Sequence, residues 1–259
     1  MIREQFLPIP YCPSANVTLC AVGACYTTIC EALNSLGIQV LEISNNEKLS
    51  PPVQGHADLQ LAVLEGNRVL IGKGESPLKN LLLPHGFEVS ETNTPLCNQY
   101  PREALLDFVS LGNRIIGNTP ILKEEHLLIN SQIIHVKQGY TKCNIAVINK
   151  NALITSDPSI ASVCRDYHFD VLQIRSGFIE LPGYHHGFIG GCCGLISPDC
   201  LAVCGKLSTH PDYHEIVQFL HKHHVTVVEL CNGPLIDIGS IIPLKQKTID
   251  DYSYDCSKL

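Results

Sequence analysis

The chain has 259 residues, of which 45% are hydrophobic and 17% charged, and its formal net charge is −7 at pH 7. This composition can build a sizeable core and excludes a disordered chain, while the acidic balance disfavours a nucleic-acid binder. Without a signal-peptide run or the roughly 18 apolar residues of a membrane span, we expect a cytoplasmic protein with no nucleic-acid and no membrane partner. Its 13 cysteines, an odd number, indicate buried thiols rather than a disulfide scaffold.

The first predicted elements are a helix over 24–37 (ACYTTICEALNSLG) and a strand over 38–43 (IQVLEI). Four hairpins are predicted next, because one pattern recurs: an apolar run, a tight turn of Asn, Asp or Gly, and a second apolar run. Residues 55–72 align without a gap on 139–156, matching a Gly, a Val and an Asn. Shorter copies lie at 111–117 and 197–205, so the chain contains an internal repeat.

Each hairpin is followed by a helix-start signal, a capping residue with Pro at the first helical position. These signals are Ser76-Pro77, Thr119-Pro120, Asp157-Pro158 and, more weakly, His210-Pro211. A short β-like run follows each helix, beginning at Phe87, Ile133, Asp170 and Val225. The order within each repeat is therefore ββαβ.

The segment 234–244 has a strand pattern with no helix after it, and joined to 15–43 it would complete a fifth ββαβ unit. The four complete units lie roughly at 54–92, 98–137, 138–174 and 184–230. We therefore predict an α/β fold with one domain over 1–259, in which five pseudosymmetric units form a closed ring without unpaired sheet edges. An ordinary open α/β sheet of strand–helix repeats is the alternative.

A five-unit ring of ββαβ modules resembles the pentein fold, or α/β propeller, and the resemblance covers residues 15–245. Penteins include guanidino-group-modifying enzymes (arginine deiminase, agmatine deiminase, dimethylarginine dimethylaminohydrolase, amidinotransferases). They also include translation initiation factor 6, which is not an enzyme. The segments GFIGGCCG (187–194) and LIDIGSIIPL (235–244) resemble an uncharacterised, largely clostridial group of bacterial proteins of this fold.

The resemblance implies that the starts of the first strands face one polar channel. His56 and Asp58 match the family's His-x-Asp pattern, and alternate residues of a strand share one face. Asp58 would bind a guanidinium through two parallel hydrogen bonds, and His56 would be a general acid and base. A surface His–Asp pair is the alternative.

Tyr140, Lys142 and Asp237 occupy the matching positions of two other units and are predicted to bind the substrate, together with Asp58. Lys142 would balance a carboxylate or hold an anionic substrate group. If it faces the channel it must be paired, because an isolated buried ammonium is costly. A solvated lysine at a sheet end is the alternative.

The fourth unit supplies the remaining candidates. His185 and His186 could orient or deprotonate a thiol, so both are predicted to be catalytic with Cys192. On a strand, Cys192 and Cys193 would point to opposite faces. The alternative is a tightly packed, glycine-rich strand whose cysteines are inert.

The chain departs from the pattern of the pentein enzymes at their nucleophile. Their cysteine lies in the last unit, whereas the expected position here is Ile242, with no cysteine nearby. Covalent chemistry would therefore need a replacement thiol, from Cys192, Cys193 or Cys143.

Two functions remain in competition, and a third is less favoured. The first is a hydrolase or transferase acting on a guanidino, amidino or related C–N group, and the second is a non-catalytic binding protein on the same scaffold. The third is a metal-binding protein that uses His185 and His186 with Cys192 or Cys193. The expected partner is a small-molecule ligand in the channel; no cofactor and no metal are predicted, and the oligomeric state is left open.

Overall fold

Five small sheets and the helices that connect their strands make up the computed structural model, which describes residues 3–122 and 131–248. The strands are β1 (Glu4–Phe6), β2 (Val17–Gly23), β3 (Gln39–Ile43), β4 (Leu61–Val63), β5 (Arg68–Ile71), β6 (Glu88–Glu91), β7 (Val109–Leu111), β8 (Arg114–Gly117), β9 (Gln132–His135), β10 (Ile145–Asn149), β11 (Ala152–Thr155), β12 (Asp170–Gln173), β13 (Cys193–Ser197), β14 (Cys200–Val203), β15 (Thr226–Glu229) and β16 (Ile242–Lys247). The helices are α1 (Thr27–Ser35), α2 (Ser76–Leu82), α3 (Thr119–Leu122), α4 (Thr141–Asn144), α5 (Pro158–Asp166) and α6 (Tyr213–Lys222). Over the described ranges, no helix has the length and apolar character needed to cross a membrane.

Four of the sheets share one strand order, an antiparallel hairpin followed by a parallel third strand. In one of them β10 pairs antiparallel with β11, placing Ile145 opposite Thr155, and β11 then pairs parallel with β12. The sheets β4-β5-β6, β7-β8-β9 and β13-β14-β15 repeat this order. The predicted hairpins and the strands that follow the helices are therefore confirmed.

Local sequence explains where the connecting helices begin. α2, α3 and α5 start at the predicted positions, and the Asp157 carboxylate caps α5 by accepting the backbone N–H groups of Ser159 (2.7 Å) and Ile160 (3.0 Å). α6 begins only at Tyr213, after the predicted His210-Pro211. His210 has the extended conformation (ψ 133°) that a following proline favours, which delays the helix.

The fifth sheet joins the two ends of the described chain. β16 lies between β1 and β2, with Ile242 opposite Ala21, and β2 pairs parallel with β3 across α1. Read in the order β16, β2, α1, β3, this sheet repeats the ββαβ pattern of the other four. Its hydrogen bonds join the first and last strands of the described residues.

Two expectations about the strands are wrong. The five sheets are separate, so each keeps its own edge strands and no closed sheet forms within the described residues. The segment 234–244 is also not one strand: β16 starts at Ile242, and before it only Ile236 makes an isolated bridge, to Glu180. The loop that replaces the strand carries Asp237 into the interior, where it is 1% exposed.

The hydrophobic core lies on both faces of these sheets. Val69, Leu70 and Ile71 of β5 are all fully buried, as expected for a central strand covered on two sides. A cluster of polar side chains is buried where the turns that precede the first strands of several sheets meet. There Asp58, Cys143 and Ser240 are hydrogen-bonded although 85 to 182 residues of sequence separate them.

Candidate functional site

A cavity of about 240 Å³ opens at this meeting point. It is lined by Val53, His56, Leu59, Tyr140, Cys143, Leu181, Tyr184, His185, His186, Phe188 and Asp237. Five of these were predicted site residues, and a sixth, Cys143, was predicted as a replacement nucleophile. The structure therefore brings together most of the candidates, although their roles stay predictions.

His56 is the most unusual group at the cavity wall. Its side chain is 1% exposed, and neither ring nitrogen has a hydrogen-bond partner within residues 3–122 and 131–248. Nδ1 lies 4.0 Å from Asp58 Oδ1 and 3.8 Å from Asp237 Oδ1. The close approach requires Gly239, because a Cβ there would collide with His56 and its φ of +74° disfavours other residues. Buried polar groups are normally paired, so an unpaired imidazole is a functional candidate.

His56 and Asp58 do not lie on a strand, as the sequence predicted. Residues Ala57–Leu59 form a 3-10 turn before β4, with His56 extended at its start. The turn still directs both side chains inward, although only His56 lines the cavity. Asp58 lies behind it, where Oδ2 accepts hydrogen bonds from Ser240 Oγ (2.6 Å) and Cys143 Sγ (3.2 Å). Its Oδ1 is buried without a partner among the described residues.

Cys143 contacts two carboxylates. Its Sγ is 2.9 Å from Asp107 Oδ2 and its backbone N–H donates to Asp107 Oδ1 at 3.0 Å, in addition to the contact with Asp58. Burial, followed by the charges of Asp107, Asp58 and Asp237, raises the pKa of the Cys143 thiol well above its ordinary value. In the free protein the thiol is therefore neutral.

Asp107 is a site residue that the sequence interpretation missed. It is 2% exposed, and burial together with the charge of Asp58 raises its pKa well above the ordinary carboxyl value. A signal was available, since Asp107 lies two residues before β7, the first strand of its sheet, and Asp58 lies three residues before β4. Asp107 is thus the counterpart, in the second repeat, of Asp58 in the first.

Lys142 is buried, at 4% exposure, and is paired as a buried ammonium must be. Its Nζ donates to Ser240 Oγ (2.8 Å) and to the Gly190 carbonyl (3.1 Å), and Ser240 in turn contacts Asp58. It does not line the cavity, so the alternative of a solvated lysine is wrong and direct contact with a ligand in the cavity is not favoured. Ser240, which links the lysine to the carboxylate, has a positive φ of 72°, a strained conformation typical of functional sites.

Asp237 is the acidic residue that the cavity reaches directly. Oδ2 accepts the Phe188 N–H (2.9 Å) and Oδ1 the Gly239 N–H (3.0 Å), which fixes the carboxylate while leaving lone pairs free. Burial raises its pKa, while His56 acts in the opposite direction. Gly191 must lack a side chain because a Cβ there would collide with this carboxylate.

Aromatic and histidine side chains form the outer wall. Tyr140 donates its hydroxyl to the buried Glu103 (2.5 Å to Oε2), and burial together with this hydrogen bond raises the Tyr140 pKa. Glu103 was not a sequence candidate. His185 is exposed at the cavity wall, and the His186 ring packs edge-on against Phe188 with 5.6 Å between centroids.

Cys192 does not line the cavity. Both Cys192 and Cys193 approach the Ile189 carbonyl, at 3.2 and 3.1 Å, so the expectation that they point to opposite faces is wrong. The reason is local, because Gly190–Cys192 is a 3-10 turn and β13 starts only at Cys193. Contact with Cys193 and burial raise the Cys192 pKa well above its ordinary value. The catalytic role predicted for Cys192 is untested, but its surroundings resemble those of a structural thiol.

One side-chain set in the described residues could hold a metal ion, namely His56, Asp58 and Cys143, whose donor atoms all lie within 4.8 Å of one another. Imidazole, carboxylate and thiolate are all zinc ligands, and the cavity would leave a coordination position open. This set differs from the predicted one of His185 and His186 with Cys192 or Cys193. Zinc would also have to displace the proton of the Cys143 thiol.

The chain matches one protein-family model and resembles several solved structures. The model of a family of unknown function, DUF6873, matches residues 22–242, and no curated protein matches. A dimethylarginine dimethylaminohydrolase in adduct with S-methyl-L-thiocitrulline superposes with a TM-score of 0.55 at 10% identity, covering 90% of this chain and 100% of that chain.

Two further structures are similar. An amidinotransferase of saxitoxin biosynthesis from Microseira wollei gives a TM-score of 0.53 at 11% identity, over 86% of this chain and 91% of its own. The agmatine deiminase of C. jejuni gives 0.52 at 10% identity, over 88% and 91%. At such low identity these similarities establish the fold and leave the activity open. The chain therefore belongs to the DUF6873 family of unknown function, and its fold is similar to that of these three enzymes.

Proposed function

We propose that this protein breaks or transfers a C–N bond of a small guanidino or amidino cation, with Cys143 as the nucleophile. The observation that carries the proposal is the pair formed by His56 and Cys143. A donor atom of the unpartnered His56 ring lies within 4.8 Å of Cys143 Sγ, and both residues line the same cavity. A thiol beside a free imidazole is the arrangement that nucleophilic catalysis requires.

The acidic residues give the site its preference for a cation. Asp237 at the cavity wall has free lone pairs for guanidinium or amidinium N–H groups, and Asp58 adds negative charge behind His56 and Cys143. Lys142 offsets part of this charge from outside the cavity through Ser240. A bound cation would relieve the remaining repulsion between the carboxylates.

Binding of the cation would also activate the thiol. In the free protein burial and the neighbouring carboxylates keep the pKa of Cys143 high. A positive charge placed against Asp237 opposes both effects and favours the thiolate. The nucleophile would therefore ionise mainly when its substrate is present.

In the proposed reaction the thiol proton passes to His56 and Sγ bonds to the central carbon of the cation. Collapse of the tetrahedral adduct breaks one C–N bond, and the departing nitrogen leaves as ammonia or an amine with the proton from His56. Water, or an acceptor amine in a transferase, then attacks the same carbon and gives a proton to His56. The C–S bond breaks, the sulfur takes that proton back as the thiol, and the second proton released from the nucleophile protonates the departed ammonia or amine. With water, a guanidinium and H₂O give a urea and an ammonium ion.

The proposal includes the finer features implied by the pentein resemblance. We propose that the five ββαβ units surround one axis as a propeller within a single domain over 1–259, with the fifth unit shared between the ends. Support comes from the repeated strand order and from the pairing of β16 with β2. A cytoplasmic location and kinship with the clostridial group belong to the same proposal.

The structural neighbours support this chemistry through what their names state. One is an amidinotransferase, one a dimethylarginine dimethylaminohydrolase and one an agmatine deiminase. They differ from this chain in about nine of every ten aligned residues, so their support is secondary to that of the cavity.

The test measures ammonia, amine and urea formation from a panel of alkylguanidines, arylguanidines, amidines, arginine and agmatine. We expect turnover of at least one compound and a loss of at least about a thousandfold in Cys143→Ser, because a hydroxyl cannot replace the thiolate. The matched variant Cys192→Ser is expected to keep its rate within about threefold, since that thiol is outside the cavity. Equal turnover by Cys143→Ser, or no turnover of any compound, would contradict the proposal.

A non-catalytic binding protein is the second candidate, and one observation favours it. The Cys143 thiol is hydrogen-bonded to two carboxylates and its pKa is raised, as expected for a structural donor. The same panel separates the two functions. Saturable binding of a guanidino compound without any turnover would select the binding protein.

A further inference from the structure

The cavity consists of two chemically different parts. Its polar part is formed by His56, Cys143 and Asp237, all less than 4% exposed. The rest of the wall is largely apolar or aromatic, formed by Val53, Leu59, Leu181, Phe188, Tyr140 and Tyr184, and the imidazoles of His185 and His186 complete it. A ligand whose cationic head lies at the polar part must therefore place its substituent against this apolar wall.

We infer that the substrate is a guanidino or amidino cation with an uncharged, apolar alkyl or aryl substituent, and not an α-amino acid or a diamine derivative. The inference rests on the proposed function, since it assumes that the cationic head binds at Asp237. It specifies the substrate class of that same cavity.

A carboxylate on the substituent would find no guanidinium or ammonium group in the described wall. None of the lining residues that the structure describes is Arg or Lys. The nearby Lys142 is occupied by Ser240 and the Gly190 carbonyl and lies outside the wall. Moving an unpaired carboxylate from water against apolar side chains is unfavourable. An arginine-like substrate is therefore disfavoured.

An ammonium on the substituent would be equally unsupported. Within the described lining, Asp237 is the one carboxylate, and it is already assigned to the head. Glu103 lies behind Tyr140 and outside the lining, where it accepts the Tyr140 hydroxyl and the Ser50 N–H. An alkyl or aryl group instead gains from burial against leucine and aromatic side chains.

The cavity volume limits the substituent further. Pockets for drug-sized ligands run from about 300 to 1,000 Å³, whereas this one is about 240 Å³. A head group with a short chain or a single ring fits this space better than a sugar or a peptide. n-Butylguanidine and phenylguanidine represent the class.

Binding is measured by calorimetry at pH 8 on Cys143→Ser, which holds ligands without consuming them. We expect n-butylguanidine or phenylguanidine to bind at least about tenfold more tightly than arginine or agmatine. Tyr184→Arg, at an exposed position of the wall, adds the missing cation. It should raise the ratio of arginine affinity to n-butylguanidine affinity at least about tenfold, because the added guanidinium pairs with the arginine carboxylate and the alkyl ligand gains nothing from it.

The outcomes separate the inference from the proposed function. Arginine or agmatine binding as tightly as n-butylguanidine, with turnover intact in the wild type, would overturn the substrate class and leave the C–N chemistry standing. No binding by any guanidino compound would overturn both. A thermal unfolding curve of Tyr184→Arg that matches the parent protein confirms that the variant folds.

Discussion

Cys143 and Cys192 precede the first strands of neighbouring sheets, and both thiols are buried, yet their surroundings are opposite. Cys143 lies between Asp58 and Asp107 at a cavity wall, whereas Cys192 is satisfied by the carbonyl of Ile189 three residues earlier. The difference shows that the repeat provides equivalent positions without equivalent chemistry. Distant residues contributed by other units decide which thiol can react.

The glycine-rich segment before Cys192 allows close packing against other parts of the molecule. A Cβ at Gly190 would collide with the carbonyls of Lys142 and Ile145, and one at Gly191 would collide with the Asp237 carboxylate. The glycines of the fourth unit therefore allow the third unit and the terminal loop to come close. They help to assemble the site around Cys143 without supplying a nucleophile to it.

The largest expected effect compares these two thiols by labelling. Chloroacetamidine is a cation and chloroacetamide its neutral analogue, so the carboxylates around Cys143 should favour the first reagent. We expect the amidine to alkylate Cys143 at least about a hundredfold faster than the amide does, since a bound cation also favours the thiolate. Peptide mass spectrometry measures the rate at each cysteine.

Two cysteines of the same molecule act as controls for that experiment. The exposed Cys25 should react with both reagents at similar rates, and Cys192 should react slowly with both because it must wait for local opening. Preferential labelling of Cys192 by the amidine would restore the original prediction that this thiol is catalytic. Equal labelling of Cys143 by both reagents would show that the cavity does not bind cations preferentially.

Local signals made the repeat predictable. Pro at helix starts, tight turns and apolar strands act within a few residues, and the helices after Ser76, Thr119 and Asp157 formed where these signals lay. The site was predictable only in part. His56 and Asp58 reach it on a 3-10 turn and not on a strand, so their predicted convergence was right for a different geometric reason.

The contacts that distinguish Cys143 from Cys192 could not be read from the sequence. Asp107 is separated from Cys143 by 36 residues and Ser240 from Asp58 by 182, so no local pattern links them. Whether a lysine such as Lys142 is paired or solvated also depends on residues from another unit. Pairwise contacts over these distances follow from the packing of units, which hydrophobic periodicity does not specify.

Ser240 links Lys142 to Asp58, and its contribution to stability can be measured by substitution. In Ser240→Ala, Lys142 and Asp58 each lose their hydrogen bond to the Ser240 hydroxyl. We expect a loss of about 2 kcal/mol in the free energy of unfolding, measured by urea denaturation. Ser240→Gly loses the same bonds but relieves the positive φ, so it should be less destabilised than the alanine variant by about 1 kcal/mol. If both variants match the wild type, the Lys142 network contributes nothing to stability.

The smallest expected effect is on how stability depends on pH. It tests whether the carboxylates around Cys143 repel one another in the folded protein. Burial and Asp58 raise the pKa of Asp107 above its ordinary 3.8, so the folded protein binds more protons than the unfolded chain above about pH 4, and stability falls as pH rises through this window. Asp107→Asn removes that loss while its Oδ1 can still accept the Cys143 N–H. The free energy of unfolding of this variant should therefore rise by about 1 kcal/mol at pH 8 and change little at pH 4.

Asp170→Asn is the control with the opposite sign. The hydrogen bond with Lys222 lowers the pKa of Asp170, so this variant should lose stability at pH 8. Thermal denaturation of both variants from pH 4 to pH 8 measures the two slopes. A loss of stability for Asp107→Asn at pH 8 would mean that the carboxylate stabilises the fold, and the repulsion proposed between the carboxylates near Cys143 would have to be abandoned.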